Sequence, residues 1–188
     1  IAGSFSGRTL QFGDKPVTTT EEASKLLSAQ IGARGEGHAI GHHGELIQGV
    51  FEDGQGRLHR GLVTIPLDGL RSTAQLILNE SAILSVVPRE KTKALRAAHL
   101  TLEQLGRAKA GGLLRIESNI PVGHGYGSST ADVVASIRAA AAALGTKLPP
   151  ASISRLAVAA ETASDATAFE TEALLFAQRE GAVLEHFG

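Results

Sequence analysis

An α+β architecture, or a closely related mixed α/β sandwich, is the fold class this sequence predicts. Three observations carry the prediction. Residues 46–87 hold four short apolar runs separated by turn residues. Residues 91–161 hold three stretches with helical spacing, and a strand passes through a glycine-rich loop into the second of these helices.

Taken in order, residues 1–37 form an N-terminal extension with no recognisable role. Phe5 to Phe12 is a short stretch of mixed apolar and polar residues. Thr20 is placed to cap a helix whose first turn carries Glu21 and Glu22 and whose apolar face is Ala23, Leu26, Leu27 and Ile31. Gly32, Gly35 and Gly37 read as a flexible joint, with the main domain expected over 38–188. Leu46–Phe51 and Leu62–Pro66 predict two strands around a turn at 52–56, and Thr73–Leu78 and Ala82–Val87 a second pair. A helix over Lys91–Gly106 is expected to bury Leu95, Ala98, His99, Leu102 and Leu105. Gly112–Glu117 is a strand, Ser129–Leu144 an Ala-rich helix, and Ser152–Glu161 a helix opened by Pro150.

Composition narrows the function. The 188 residues suit one domain with or without an extension, and 43% hydrophobic and 20% charged residues describe a globular protein with a core. A formal net charge of -1, one Tyr, six Phe and no Trp argue against nucleic-acid binding, both for phosphate tracking and for base stacking. Neither a membrane span nor a signal peptide is visible. Cysteine is absent, which removes thiol chemistry, and the expected compartment is the cytoplasm. Methionine is also absent, and the chain closes soon after the apolar run Gly181–Leu184, so a fragment of a longer protein is expected.

The stretch from Pro121 to Asp132 is the most informative. Gly123, Gly125 and Gly127 allow close approach of a ligand to the backbone, and the helix that follows offers unpaired amides and a positive dipole end, which favour phosphate. Ser128, Ser129 and Thr130 add hydroxyls able to meet phosphate oxygens or Mg²⁺. No Gly-Lys-Ser/Thr follows, which excludes a Walker A loop, and the glycine spacing is not that of a dinucleotide fingerprint. A plain strand-to-helix turn capped by Ser128 or Ser129 is the competing reading.

Pro121, Gly125, Gly127, Ser128, Ser129 and Ala131 together resemble the phosphate loop of the GHMP kinase superfamily, with Tyr126 and Thr130 departing from its usual Leu and Ala. Gly41-His-His-Gly44-Glu45-Leu46-Ile47-Gln48-Gly49 is similar to an opening motif of the L-threonine kinase branch, tied to propanediol use and cobalamin biosynthesis. Glu161 to Phe169 and the strand after it resemble that branch's Glu-Pro-Thr-Asp segment, without its Pro. The resemblance implies ATP and Mg²⁺ as cofactors and transfer of the γ-phosphate to a small-molecule hydroxyl. It also implies a sandwich like the second domain of ribosomal protein S5, with the C-terminal ferredoxin-like domain missing. Pro121, Gly123, Gly125, Gly127, Ser128, Ser129 and Thr130 would hold the nucleotide, and Ser129 and Glu161 the metal.

Asp165 would take the acceptor's proton, orient its hydroxyl or bind an amino group; a helix-cap role stands beside these. Glu45 and Gln48 would enter the acceptor pocket, against the reading of ordinary strand residues. Asp132 complements the dipole of its helix and needs no catalytic role. His42, His43 and His124 lack metal-site spacing, as do His38 and His59, although His124 could donate to phosphate when protonated. Arg71, Arg89, Lys91 and Arg179 are candidates to offset phosphate charge. The rival functions are a non-catalytic nucleotide or metabolite module and a kinase of another alcohol such as homoserine. Oligomeric state is open.

Overall fold

The computed structural model describes the backbone of residues 11–12, 15–16, 32–170 and 173–187, and the side chains of residues 32–43, 47–170 and 173–187. The chain divides into two units, Ile1–Ile31 and Gly32–Gly188. In the first, β1 (Gln11–Phe12) pairs antiparallel with β2 (Lys15–Pro16). The helix expected over residues 21–31 lies outside the described residues.

The second unit is a six-stranded sheet with helices on one face. Its frame is a long antiparallel hairpin of β3 (Arg34–Glu52) and β4 (Leu58–Asn79). The turn expected at 52–56 is present: Asp53 accepts hydrogen bonds from the Gln55 and Arg57 amides and from the Arg57 and His59 side chains, and these hold its carboxyl well below the usual carboxylate range, the His59 bond foremost.

The two strands expected within 62–78 are one. β4 runs without interruption through Pro66-Leu-Asp-Gly69, because β3 supplies ladder partners on both sides of that stretch and a register shift at Ile40/Gly41 absorbs the irregularity. With β3 along one edge of β4, the other edge is shared. Ser72–Asn79 pairs with β6 (Gly111–Ser118), and Gly61–Thr64 pairs with β7 (Leu174–Ala177). β5 (Leu84–Val87) lies parallel to β6, and β8 (Ala182–His186) closes the far edge beside β7.

Strand periodicity decides what the helices cover. Ser72, Ala74, Leu76 and Leu78 are buried, whereas Gln75 and Ile77 point to the open face. Three helices lie on the buried side: α1 (Thr92–Gln104), α2 (Ser128–Ala143) and α3 (Pro150–Glu161). The buried face of α1 is Ala94, Ala97, Ala98, Thr101 and Leu102, one step round from expectation, which leaves His99 exposed. Helix α2 is buried nearly all round, and its alanines let neighbours approach closely.

That approach corrects the reading of Gly35 and Gly37 as a joint. Both lie inside β3, where an added Cβ would overlap backbone atoms of Ala139 and Ala142–Ala143 at Gly35, and of Ala135 and Ala139 at Gly37. They are the seat of α2. The domain accordingly starts before residue 38, at Gly32.

A second, smaller cluster of Leu62, Ala166, Leu174 and Phe176 lies under the 3₁₀ turn Ala166–Phe169. Phe169 packs edge-on against Phe176 at 6.0 Å.

Candidate functional site

The glycine loop between β6 and α2 ends in a left-handed residue. Gly127 is the N-cap of α2, with φ 65°, and no side chain caps the helix, which removes the competing reading of Ser128 or Ser129 as helix caps. The amides of Ser128, Ser129 and Thr130 therefore have no acceptor within the helix, while Ala131 begins the ladder by donating to the Gly127 carbonyl. Gly123 and Gly125 also have positive φ, so the loop is a run of backbone turns that alternate glycines make possible. Such an array of outward amides at a helix start is suited to an anion.

Over this cradle stands a carboxylate. Glu161, the last residue of α3, accepts hydrogen bonds from Ser129 Oγ at 3.2 Å and Thr130 Oγ1 at 2.8 Å. Its side chain is only 3% exposed and has Lys93 Nζ at 3.9 Å. Burial raises its pKa, against the opposing pull of Thr130, Lys93, Ser129 and Ser164. The structure thus unites Ser129, Thr130 and Glu161, 31 or 32 residues apart in sequence. Two hydroxyls and one carboxylate are hard oxygen donors of the kind Mg²⁺ takes alongside water and phosphate. Among the described residues no group of three or more His, Cys, Asp or Glu could hold a metal unaided.

Asp165 reaches the same place from the other side. A Cβ on Gly127 would lie 2.8 Å from Asp165 Oδ2, which places that carboxylate against the loop at a residue whose φ of 65° favours glycine. Although Asp165 precedes the 3₁₀ turn, its carboxylate makes no cap bond, which removes the helix-cap reading. The segment is braced at both ends. Thr162 and Glu170, with φ 76° and 54°, are the two non-glycine residues of positive φ among those described. Arg138 of α2 donates to the Ala168 carbonyl, the Glu170 carboxylate and the His38 carbonyl.

Close by, the His42 amide donates to the Tyr126 carbonyl at 3.1 Å and ties β3 to the loop. The His42 ring is fully buried, its Nδ1 lies 3.1 Å from Thr64 Oγ1, and its Nε2 makes no hydrogen bond. Burial lowers its pKa to about 4; the backbone and carboxylate of Glu170 oppose this more weakly. His43, Tyr126 and His124 form a row of rings with centroids 5.8 and 6.1 Å apart.

The remaining expectations fare unevenly. Gln48 lies on an exposed part of β3 opposite Leu62, and the side chain of Glu45 lies outside the described residues, at a register shift between His43 and Ile47. Pro121 and Gly123 are exposed at the loop entry. Asp132 is not a first-turn residue: it is the fifth residue of α2, buried, and bonded to Ser72 and Lys91. Lys91 is therefore engaged, and the cation that stands beside the cradle is Lys93, which sequence reasoning passed over. Its signal was its place in the first turn of a helix, and nothing local ties that turn to Glu161.

Residues 92–172 match the family model of the GHMP kinases N terminal domain. No curated protein sequence matches. Among solved structures, the homoserine kinase of Cytophaga hutchinsonii ATCC 33406 is similar with a TM-score of 0.54 and 20% identity over 69% of this chain and 41% of its own. The Methanococcus jannaschii mevalonate kinase is similar with a TM-score of 0.57 and 17% identity over 84% and 56%. MDDEF, solved in complex with MVAPP, AMPPCP and magnesium, has a TM-score of 0.57 and 14% identity over 83% and 51%. The fold of the second unit is thus the α+β fold of GHMP kinase N-terminal domains. The chain spans about half the length of these proteins.

Proposed function

We propose that this chain is the nucleotide-binding part of an ATP-dependent kinase that phosphorylates a small-molecule hydroxyl, with L-threonine or a related amino acid as acceptor. One observation carries the reading: the uncapped start of α2 after left-handed Gly127, with Ser129 and Thr130 directly under the Glu161 carboxylate. The match of residues 92–172 to the GHMP kinases N terminal domain supports it, as does the likeness in fold to a protein solved with AMPPCP and magnesium. The opening motif Gly41–Gly49 and its resemblance to L-threonine kinases support the choice of acceptor.

In this reading the amides of Ser128, Ser129 and Thr130 bind phosphate oxygens, and Ser129 and Glu161 would hold Mg²⁺, which supplies charge neutralisation across the phosphates. Glu161 must be ionised to do so, and the positive charge of the ion would oppose the burial that raises its pKa. Lys93, half-exposed and 3.9 Å from Glu161, turns from the carboxylate to the phosphates when they arrive. Asp165, against Gly127, orients the acceptor hydroxyl or receives its proton, so that transfer rests on positioning and charge.

The test is a screen of L-threonine, L-serine, homoserine and mevalonate with ATP and Mg²⁺, using the full-length protein. Phosphorylated L-threonine is the expected product. Phosphate transfer to another of the four corrects the acceptor; transfer to none, with no binding of a non-hydrolysable ATP analogue, removes the kinase reading. The chain 1–188 alone is expected to bind the analogue and turn over poorly.

A further inference from the structure

Behind the cradle lies a partly buried charged pair that phosphate binding does not use. Asp132 of α2 is 4% exposed at its side chain; it accepts from Ser72 Oγ of β4 at 2.6 Å and pairs with Lys91 Nζ at 2.5 Å. A buried ion pair adds little net stability over apolar residues of similar volume, so its effect is better sought in what it orients.

Lys91 is the N-cap residue of α1. That helix start has no side-chain cap and no acidic residue in its first turn, and its local support is backbone only, from the Lys91 amide to the Pro88 carbonyl and the Thr92 amide to the Glu90 carbonyl. Lys91 adds an anchor from a distance, since its ammonium is fixed to Asp132 and through it to Ser72 of β4. Two residues on, in the turn so anchored, Lys93 holds its ammonium 3.9 Å from Glu161 Oε2, the oxygen that also accepts from Ser129. The chain of contacts runs from Ser72 through Asp132 and Lys91 to the first turn of α1, and from Lys93 to Glu161.

We propose that the Lys91–Asp132 pair is a positioning element that holds the first turn of α1 against α2, so that Lys93 meets the phosphates of a bound nucleotide. This rests on the reading of the glycine loop as a triphosphate site. Lys91 and Asp132 themselves touch no phosphate; they act through Lys93.

A double-mutant cycle separates this from a merely structural role. The measurement is calorimetric binding of a non-hydrolysable ATP analogue with Mg²⁺ to the full-length protein, with thermal melting as the check on folding. Lys93→Met should weaken binding about tenfold, as loss of one charged phosphate contact does. Lys91→Met with Asp132→Asn removes the pair without leaving a buried lone charge, and should also weaken binding about tenfold. Combined with Lys93→Met it should cost nothing more. Unchanged affinity in the Lys91/Asp132 variant, or losses that multiply to about a hundredfold, would overturn the proposal while leaving the nucleotide site intact. If the unmutated protein fails to bind the analogue, the nucleotide reading falls first and this inference with it. Should the Lys91/Asp132 variant not fold, Lys91→Arg repeats the cycle: it shifts the tether and keeps the charge. It should cost about threefold with Lys93 present and nothing in the Lys93→Met background; an equal loss in both backgrounds overturns the proposal.

Discussion

The glycine loop and the segment 162–170 meet at Gly127, yet they are held by opposite means. The loop is backbone chemistry: three glycines of positive φ, an uncapped helix start and hydroxyls that are consecutive in sequence. The segment is held by side chains from far away, with Arg138 reaching Glu170 and the Ala168 carbonyl, the Phe169–Phe176 contact below, and buried His42 alongside. A part made of local backbone is expected to tolerate side-chain loss and forfeit function; a part made of distant contacts is expected to forfeit stability first.

The largest effect should come from below both. Gly37→Val places a Cβ carrying two methyl groups against the Ala135 and Ala139 backbone, which cannot yield without lifting α2 off β3. A loss of about 4 kcal/mol or more, or failure to fold, is expected in denaturant unfolding. Folding with near-normal stability would show that α2 can shift, and that the two parts of the site are not fixed by a common seat.

On the segment side, His42 should make stability fall in acid. Its folded pKa of about 4 lies below the ordinary 6.5, so between these values the unfolded chain takes up a proton that the folded chain refuses. Stability attributable to His42 is complete above about pH 6.5 and declines toward pH 4 by at most about 3 kcal/mol. Compared with His42→Gln across that range, the unmutated protein should lose the extra amount; parallel curves would mean that the ring is not buried neutral.

The loop side should behave otherwise. Ser129 is exposed and caps nothing, so Ser129→Ala should change stability by no more than about 0.5 kcal/mol while reducing turnover roughly a hundredfold. Loss of both together would make the loop a structural turn. Glu161 sharpens the point: its raised pKa means that the folded protein binds a proton more readily than the unfolded one, so its contribution to stability fades as pH rises. Glu161→Gln should therefore gain in stability relative to the unmutated, unliganded protein as pH rises, with turnover lost. The smallest effect is expected for Arg138→Met, about 1–2 kcal/mol of stability with a rise in the acceptor's KM and a nearly unchanged KM for ATP. Equal changes in both constants would indicate that the segment serves the nucleotide as much as the acceptor.

Much of this was legible because it is local. The β3–β4 turn, the three helices, the Pro150 start and the phosphate-suited loop follow from periodicity, caps and glycines within a few residues of one another. Strand counting erred at Pro66–Gly69 because ladder partners 24 to 31 residues away, from His42↔Pro66 to Ile40↔Arg71, decide whether a turn-like sequence stays in a sheet. Gly35 and Gly37 look like a joint in sequence, and only the alanines of α2 reveal them as a seat.

By itself, then, the sequence determined which backbone can turn and where helices begin, while the uncapped state of the helix start after Gly127 was decided by the structure. The tertiary structure decided which distant side chains stand over that opening: Glu161 above Ser129 and Thr130, Asp165 against Gly127, and Lys93 beside Glu161 in place of Lys91, which is committed to Asp132. The reason is physical. Turns and helix starts are settled by torsions and by hydrogen bonds a few residues long, whereas the pairing of buried charges depends on which surfaces the packed core brings within about 4 Å of each other.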